Sequence, residues 1–220
     1  MGGYRGVGLA LVMIASGCSS TQSGGMDLAT NRTLYRSPPF EAVSTKPFKA
    51  YVAPLQDKRT PPPEPGGAVA AEFLADGHWQ RPVRTMVEEI LRNELQDSDI
   101  YAGLTATPTS SDLIIEPALT TLHGAWERRA YPYYAGRTYA VVALHMKILG
   151  PADANGKRRV WMNKEFRELV GSEFSQTTPP NIQQLAGVAL SRTMKKLLDA
   201  VYTADGREVR EATTTNKTDK

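Results

Sequence analysis

Two neighbouring segments read as β-strands, and the first places Val142, Leu144, Met146 and Ile148 on one face at a period of two, the spacing of a strand with one buried face. The first covers residues 139–149 and the second residues 159–170. Between them, residues 153–156 read Asp-Ala-Asn-Gly, and an Asn-Gly pair readily adopts the positive φ values that tight hairpins need. The two segments are therefore predicted to be antiparallel neighbours, and any fold of this chain has to contain their hairpin.

Further segments complete an order of strand, helix, three strands and helix. Additional strands are predicted at residues 48–52 and 112–122, and helices at residues 79–95 and 181–202. Each helix carries one apolar stripe, which has to lie on another apolar surface. The chain is therefore predicted to be α+β, a two-layer sandwich in which two amphipathic helices cover one face of a mainly antiparallel four-stranded sheet, in the order βαβββα.

The N-terminal residues have the three parts of a bacterial export signal. Arg5 is basic, residues 7–14 are apolar and residues 15–17 are small. The apolar stretch is shorter than the roughly 20 residues that a membrane-spanning helix needs. The only cysteine, Cys18, follows directly. The segment from Ala15 to Cys18 resembles the bacterial lipobox, although that motif prefers leucine where Ala15 stands.

This resemblance implies cleavage before Cys18, followed by addition of a diacylglyceryl group to its thiol and of an acyl chain such as palmitate to its amino group. Several acyl chains anchor a protein stably, because each buried methylene contributes about 0.8 kcal/mol. Ser19 follows the cysteine, and a residue other than Asp there implies the outer membrane, at its periplasmic face. No cofactor besides this covalent lipid is predicted. The alternative is a secreted protein with an incidental free thiol.

The domain organisation follows from these segments. Residues 1–17 are predicted to be the signal peptide and residues 18–46 a lipidated flexible tether, polar at its start and interrupted by two prolines. Residues 47–202 are predicted to form the α/β lipoprotein domain. The polar residues 203–220 are predicted to be a disordered tail.

Charge and motifs argue against several classes of function. The 26 Lys and Arg residues against 23 Asp and Glu residues give a net charge of +3. Because the basic residues are scattered, nucleic acid is not a predicted partner. The histidines His78, His123 and His145 lack the paired spacing of metal ligands, so no metal site is predicted.

No arrangement typical of an active site occurs in the sequence. Asp112, Glu116 and Glu165 could be combined into a pair of catalytic carboxylates, but any chain with 23 Asp and Glu residues offers such combinations. There is no nucleophile elbow, phosphate loop or dinucleotide fingerprint. The chain is therefore predicted not to be an enzyme, with an envelope hydrolase as the alternative.

One segment, residues 123–139, is unusually rich in aromatic and basic side chains. Tyr, Trp and Arg are enriched in the hot spots of protein interfaces, since they combine a large rigid area with a polar group. The predicted partner-binding residues are Trp126, Arg128, Arg129, Tyr131, Tyr133, Tyr134 and Arg137. The alternative is a hairpin tip whose aromatic rings fold back on the sheet edge or pack under the helices.

The chain resembles the ABC-type transport auxiliary lipoproteins, including the paraquat-inducible type. The similarity covers residues 47–202 and includes a first strand that runs into Pro54, Trp79 at the start of the first helix, and a long last helix after Pro179 and Pro180. It implies a non-catalytic docking subunit of an envelope lipid-transport complex. The alternatives are secretion or envelope-assembly lipoproteins, similar to the curli-secretion type or to activators of peptidoglycan synthases. The oligomeric state is not predicted.

Overall fold

The predicted hairpin is present, within strands longer than the alternation indicates. The computed structural model describes residues 26–60, 69–73, 76–128, 135–175 and 182–204. The strands are β1 (Lys46–Val52), β2 (Gln56–Asp57), β3 (Val69–Phe73), β4 (Tyr101–Thr105), β5 (Leu113–Arg128), β6 (Ala135–Ala152) and β7 (Arg158–Ser175). The helices are α1 (Val83–Asp97) and α2 (Ile182–Thr203), with single 3₁₀ turns at Asp76–His78 and Pro108–Ser110. The α+β class is confirmed.

The sheet is mixed, which corrects the prediction of four mainly antiparallel strands. Its main order is β4-β1-β5-β6-β7, and β2 and β3 both pair with β5. The antiparallel pairs are β5 with β6, β6 with β7, and β3 with β5. The parallel pairs are β1 with β4, β1 with β5, and β2 with β5. The predicted order βαβββα therefore lacks β2, β3 and β4, short strands with too little alternation to be recognised.

The β6–β7 turn has a positive φ at only one residue of the Asn-Gly pair. Gly156 has a φ of 77°, whereas Asn155 is not among the residues with positive φ. The carboxylate of Asp153 instead accepts hydrogen bonds from the backbone N–H groups of Asn155 and Lys157, each at 2.9 Å. The antiparallel pairing is confirmed, and the Asp153 side chain organises the turn.

Helix α1 begins four residues later than predicted. Pro82 stands immediately before it, and the residue before a proline is disfavoured in helical conformation. The Asp76 carboxylate accepts a hydrogen bond from the backbone N–H of Val83 at 3.0 Å. That bond satisfies one of the N–H groups that the first helical turn leaves unpaired.

The core lies between the sheet and both helices. Strand β6 buries Val142, Leu144, Met146 and Ile148 on one face, and these side chains belong to one apolar cluster with both helical stripes. From the helices the cluster contains Val83, Met86, Val87, Ile90, Leu91, Leu95, Ala186, Ala189, Leu190, Met194, Leu197, Leu198 and Val201. Together α1, α2 and the sheet form the two layers.

The segment before β1 packs on this core, so residues 26–46 do not behave as the predicted flexible tether. Leu28 and Leu34 are almost fully buried. The hydroxyl groups of Tyr35 and Ser37 donate hydrogen bonds to the two carboxylate oxygens of Glu94, at 2.7 and 2.8 Å. Burial, followed by the bond to Glu94, raises the pKa of Tyr35. The packed part of the chain therefore includes residues from 26 onward.

The contact of this segment with α2 requires a glycine. A Cβ atom on Gly187 would overlap the carbonyl oxygen of Leu34. Glycine inside a helix ordinarily costs about 1 kcal/mol relative to alanine, so its presence here is explained by the close approach of the two backbones.

We predict that Gly187→Ala lowers the free energy of unfolding by about 2 kcal/mol, because overpacking outweighs the gain in helix propensity. Urea denaturation measures the change. Val188→Ala is the matched control, since Val188 is 40% exposed and its truncation should have a smaller effect. A Gly187→Ala variant at least as stable as wild type would show that the segment does not pack on α2.

Candidate functional site

The predicted partner-binding segment connects β5 to β6 at one end of the sheet. Within the strands, Trp126 pairs with Thr138 and Arg128 pairs with Gly136. Arg137 stands opposite Glu127 on one side and Glu173 on the other. These pairings are backbone register positions. Arg129, Tyr131, Tyr133 and Tyr134 lie outside the described residues, as does Cys18.

The strands that lead to this hairpin are held on both sides. Strand β3 pairs antiparallel with β5 from Val69 opposite Glu127 to Phe73 opposite His123. Strand β7 pairs with β6 as far as Ala135. Four strands in the order β3-β5-β6-β7 therefore support the base of the hairpin, and residues 129–134 connect the two inner ones.

Ile182, the first described residue of α2, lies over Gly124 of β5. A Cβ atom on Gly124 would overlap the side chain of Ile182. Strand β5 continues for four residues after Gly124, to Arg128. The base of the hairpin therefore continues beyond the contact of β5 with Ile182.

Both described helices pack on one face of the sheet, and the opposite face has its own small buried patch. Val141 and Ala143 of β6 are 2% and 0% exposed there, although they lie outside the main apolar cluster. The register places His123 opposite Val141 and Arg167 opposite Ala143. On the same face Leu169, opposite Val141, is 51% exposed.

His123 is the titratable group that this face perturbs. Burial lowers the pKa of His123 below 6.5, and the positive charge of Arg167 lowers it further. Both causes oppose the protonated form. His145 is half-buried on the same face and stands opposite Ala118 and Glu165, while His78 is exposed in a 3₁₀ turn. The three histidines are not brought together.

Each of the three carboxylates considered as catalytic candidates forms a hydrogen bond or an ion pair with a neighbouring strand residue. Asp112 accepts a hydrogen bond from the backbone N–H of Lys49 at 2.8 Å. Glu116 forms an ion pair with Lys147 at 2.9 Å, and Glu165 accepts a hydrogen bond from the Thr120 hydroxyl at 2.8 Å. Among the residues that the structure describes, no three His, Cys, Asp or Glu side chains are grouped closely enough to hold a metal ion.

A second surface, which the sequence reasoning missed, lies along β7. This strand is at one end of the main sheet order, and an open groove of about 660 Å³ separates its residues 164–167 from α2. The helical side of the groove is formed by Lys196, Asp199, Ala200 and Thr203. No sequence motif marks this surface, because it depends on knowing which strand is outermost.

Neither helix in the described ranges combines the length and the apolar character needed to cross a bilayer.

The chain matches no family model and no curated protein. Solved structures with a similar outline include protein XCC0632 from Xanthomonas campestris, of family DUF330, at 14% identity, covering 81% of this chain and 96% of that one, with a TM-score of 0.45. Protein CT253 from Chlamydia trachomatis is 8% identical, with coverages of 72% and 98% and a TM-score of 0.46. A PelC dodecamer from Paraburkholderia phytofirmans is 13% identical, with coverages of 74% and 93% and a TM-score of 0.30. At these scores the likenesses carry no information about activity.

We predict that His123 contributes to a loss of stability on acidification. Because its pKa is lower in the folded chain, the unfolded chain binds the proton first as the pH falls through about 6.5, and the free energy of unfolding decreases. His123→Gln should therefore reduce the drop in melting temperature between about pH 7.5 and pH 5.5. The exposed His78→Gln is the control. An unchanged pH dependence in His123→Gln would contradict the prediction.

Proposed function

We propose that this chain is a non-catalytic docking subunit, held at the periplasmic face of the outer membrane by a lipid on Cys18. In this proposal the β5–β6 hairpin binds an envelope protein complex. The supporting observation is the ribbon of β3, β5, β6 and β7, in which β5 and β6 stay paired up to Arg128 and Gly136, on either side of residues 129–134.

A rigid base matters for binding because ordering a loop costs free energy at the moment of association. Strand β5 is paired on both sides up to Glu127, with β3 on one side and β6 on the other. The ends of the connecting segment are therefore fixed before a partner arrives. The segment's Tyr and Arg residues are the types that carry binding energy in protein interfaces.

Because the sequence resembles the ABC-type transport auxiliary lipoproteins, a specific partner can be proposed. The partner is then the membrane-anchored substrate-binding protein of an envelope lipid-transport system. Docking would raise the local concentration of that partner at the membrane, and the lipoprotein itself would perform no reaction.

The binding test replaces Trp126, Arg129 and Tyr133 together by alanine in the full chain. We expect capture of the substrate-binding protein to fall by at least about tenfold, since hot-spot truncations typically cost about 2 kcal/mol or more. Chemical cross-linking in cells followed by affinity purification and mass spectrometry measures the captured partner.

The matched control replaces Asn155, Lys157 and Arg159 by alanine. These exposed residues lie at the β6–β7 end of the sheet, opposite to the proposed binding end. Their variant should capture the partner at wild-type strength. If the Trp126, Arg129 and Tyr133 variant also captures it fully, or melts at a clearly lower temperature, the three residues have a structural role instead.

The anchor is tested separately. Cys18→Ser should remove the acyl mass from the mature N-terminus and move the protein from the membrane fraction to the soluble periplasm. Mass spectrometry and a sucrose gradient of the two membranes check both outcomes. An unmodified Cys18 thiol in the wild-type protein, or a mature start elsewhere, would overturn the anchoring proposal.

A further inference from the structure

Strand β7 has one edge paired along nearly its whole length and one edge that no described strand contacts. Its pairs with β6 run from Arg158 opposite Ala152 to Ser175 opposite Ala135. In the described part of the chain β7 pairs with no other strand. Backbone N–H and C=O groups on such an edge can accept an added strand.

The charges at the centre of β7 are complementary to those of a second β7 in one antiparallel register. Residues 164–168 read Lys-Glu-Phe-Arg-Glu. Two copies of one strand pair antiparallel about a two-fold axis that passes by a single residue, which stands opposite itself. With Phe166 at the centre, Lys164 stands opposite Glu168 and Glu165 opposite Arg167. The two-fold axis repeats both, so four opposite-charge pairs form.

Neighbouring registers lose this match. A centre at Glu165 places two glutamates opposite each other, and a centre at Arg167 places two arginines opposite each other. Like charges directly across an antiparallel pair are destabilising, and opposite charges are stabilising. The charge pattern therefore selects the register centred on Phe166.

The side chains involved are positioned for this pairing. Lys164, Glu165 and Arg167 are exposed, and Phe166 is 4% exposed. Glu168 is partly buried and forms an ion pair with Lys196 of α2. The groove between β7 and α2 leaves space beside the edge for side chains of the second copy. Edges that resist association are commonly short, whereas this one is long, and its charges, including that of Lys164, match those of a second copy.

We propose that two copies of this chain associate through β7, pairing antiparallel about Phe166 and joining their sheets into one. The interface is isologous, so the assembly closes as a dimer. The β7 edge and its partner are separate from the hairpin and its envelope complex, so dimerisation and docking can be tested independently.

Charge reversal tests the pairing in the full-length chain. Arg167→Glu places two glutamates opposite each other in both halves of the interface, and Glu165→Arg places two arginines opposite each other there. Each single variant should raise the dimer dissociation constant at least about tenfold, as measured by analytical ultracentrifugation. An equimolar mixture of the two should recover association as a heterodimer, because each half then faces residues of opposite sign.

The double variant Glu165→Arg with Arg167→Glu is the matched control. It keeps the composition and restores opposite charges across the two-fold axis, so it should dimerise with nearly the wild-type constant. Circular dichroism confirms that each variant is folded. A wild-type chain that stays monomeric at all concentrations, or an association unaffected by both single variants, would overturn the proposal.

Cysteine cross-linking tests the register directly. Asn163 stands opposite Leu169 of the second copy in the proposed alignment, and directly opposed residues lie within disulfide reach. A mixture of Asn163→Cys and Leu169→Cys chains, each with Cys18→Ser, should cross-link under mild oxidation. Asn163→Cys mixed with Gly171→Cys corresponds to a shifted register and should not. Equal cross-linking of both mixtures would exclude the register centred on Phe166.

Discussion

Burial of one face of β6 under the two helices is the interaction on which the rest of the structure depends. Val142, Leu144, Met146 and Ile148 are at most 1% exposed, and full burial of such side chains contributes about 1.5–3 kcal/mol each. A slip of one residue would turn this face to the other side of the sheet. The burial therefore fixes the register of β6 with β5 and β7. The positions of the hairpin and of the outer edge of β7 follow from that register.

The sequence was sufficient for elements whose pattern is strong and local. Both helices, the three long strands and the β6–β7 hairpin were predicted because their periods of 3.6 and 2 persist over many residues. The five-residue β4 has only Tyr101 buried and is fixed by parallel pairing with β1, a contact distant in sequence. Of the two candidate surfaces, the aromatic segment is predicted from the sequence to lie at a hairpin, because strand-like segments flank it on both sides. The charge complementarity within residues 164–168 can be recognised only when β7 is known to be the outermost strand.

The N-terminal segment shows why composition misled the prediction for residues 26–46. Its apolar side chains are few, but Leu28 and Leu34 reach the core, and its polar groups have specific partners. Asp27 accepts hydrogen bonds from Arg81 at 2.7 and 3.1 Å, and Arg81 also binds Glu89 at 2.8 Å. Burial raises the pKa of Asp27, but the hydrogen bonds from Arg81 and from backbone N–H groups outweigh it, so the net shift is downward. If Cys18 carries the lipid, only residues 19–25 separate it from the packed chain, and about eight residue steps span at most about 30 Å.

That short reach constrains how the two proposed surfaces can work together. Antiparallel pairing of β7 with its copy places the two β5–β6 hairpins at opposite ends of the joined sheet, with the two-fold axis perpendicular to the sheet. If both copies carry the lipid on Cys18 and enter one membrane equivalently through tethers of at most about 30 Å, this axis has to lie along the membrane normal. In that arrangement the joined sheet lies parallel to the bilayer, and the β5–β6 ends of the two copies face sideways along its surface. A dimer arranged in this way favours partners that stand beside it in the envelope, and it can engage two of them at once with the gain in avidity that bivalency provides.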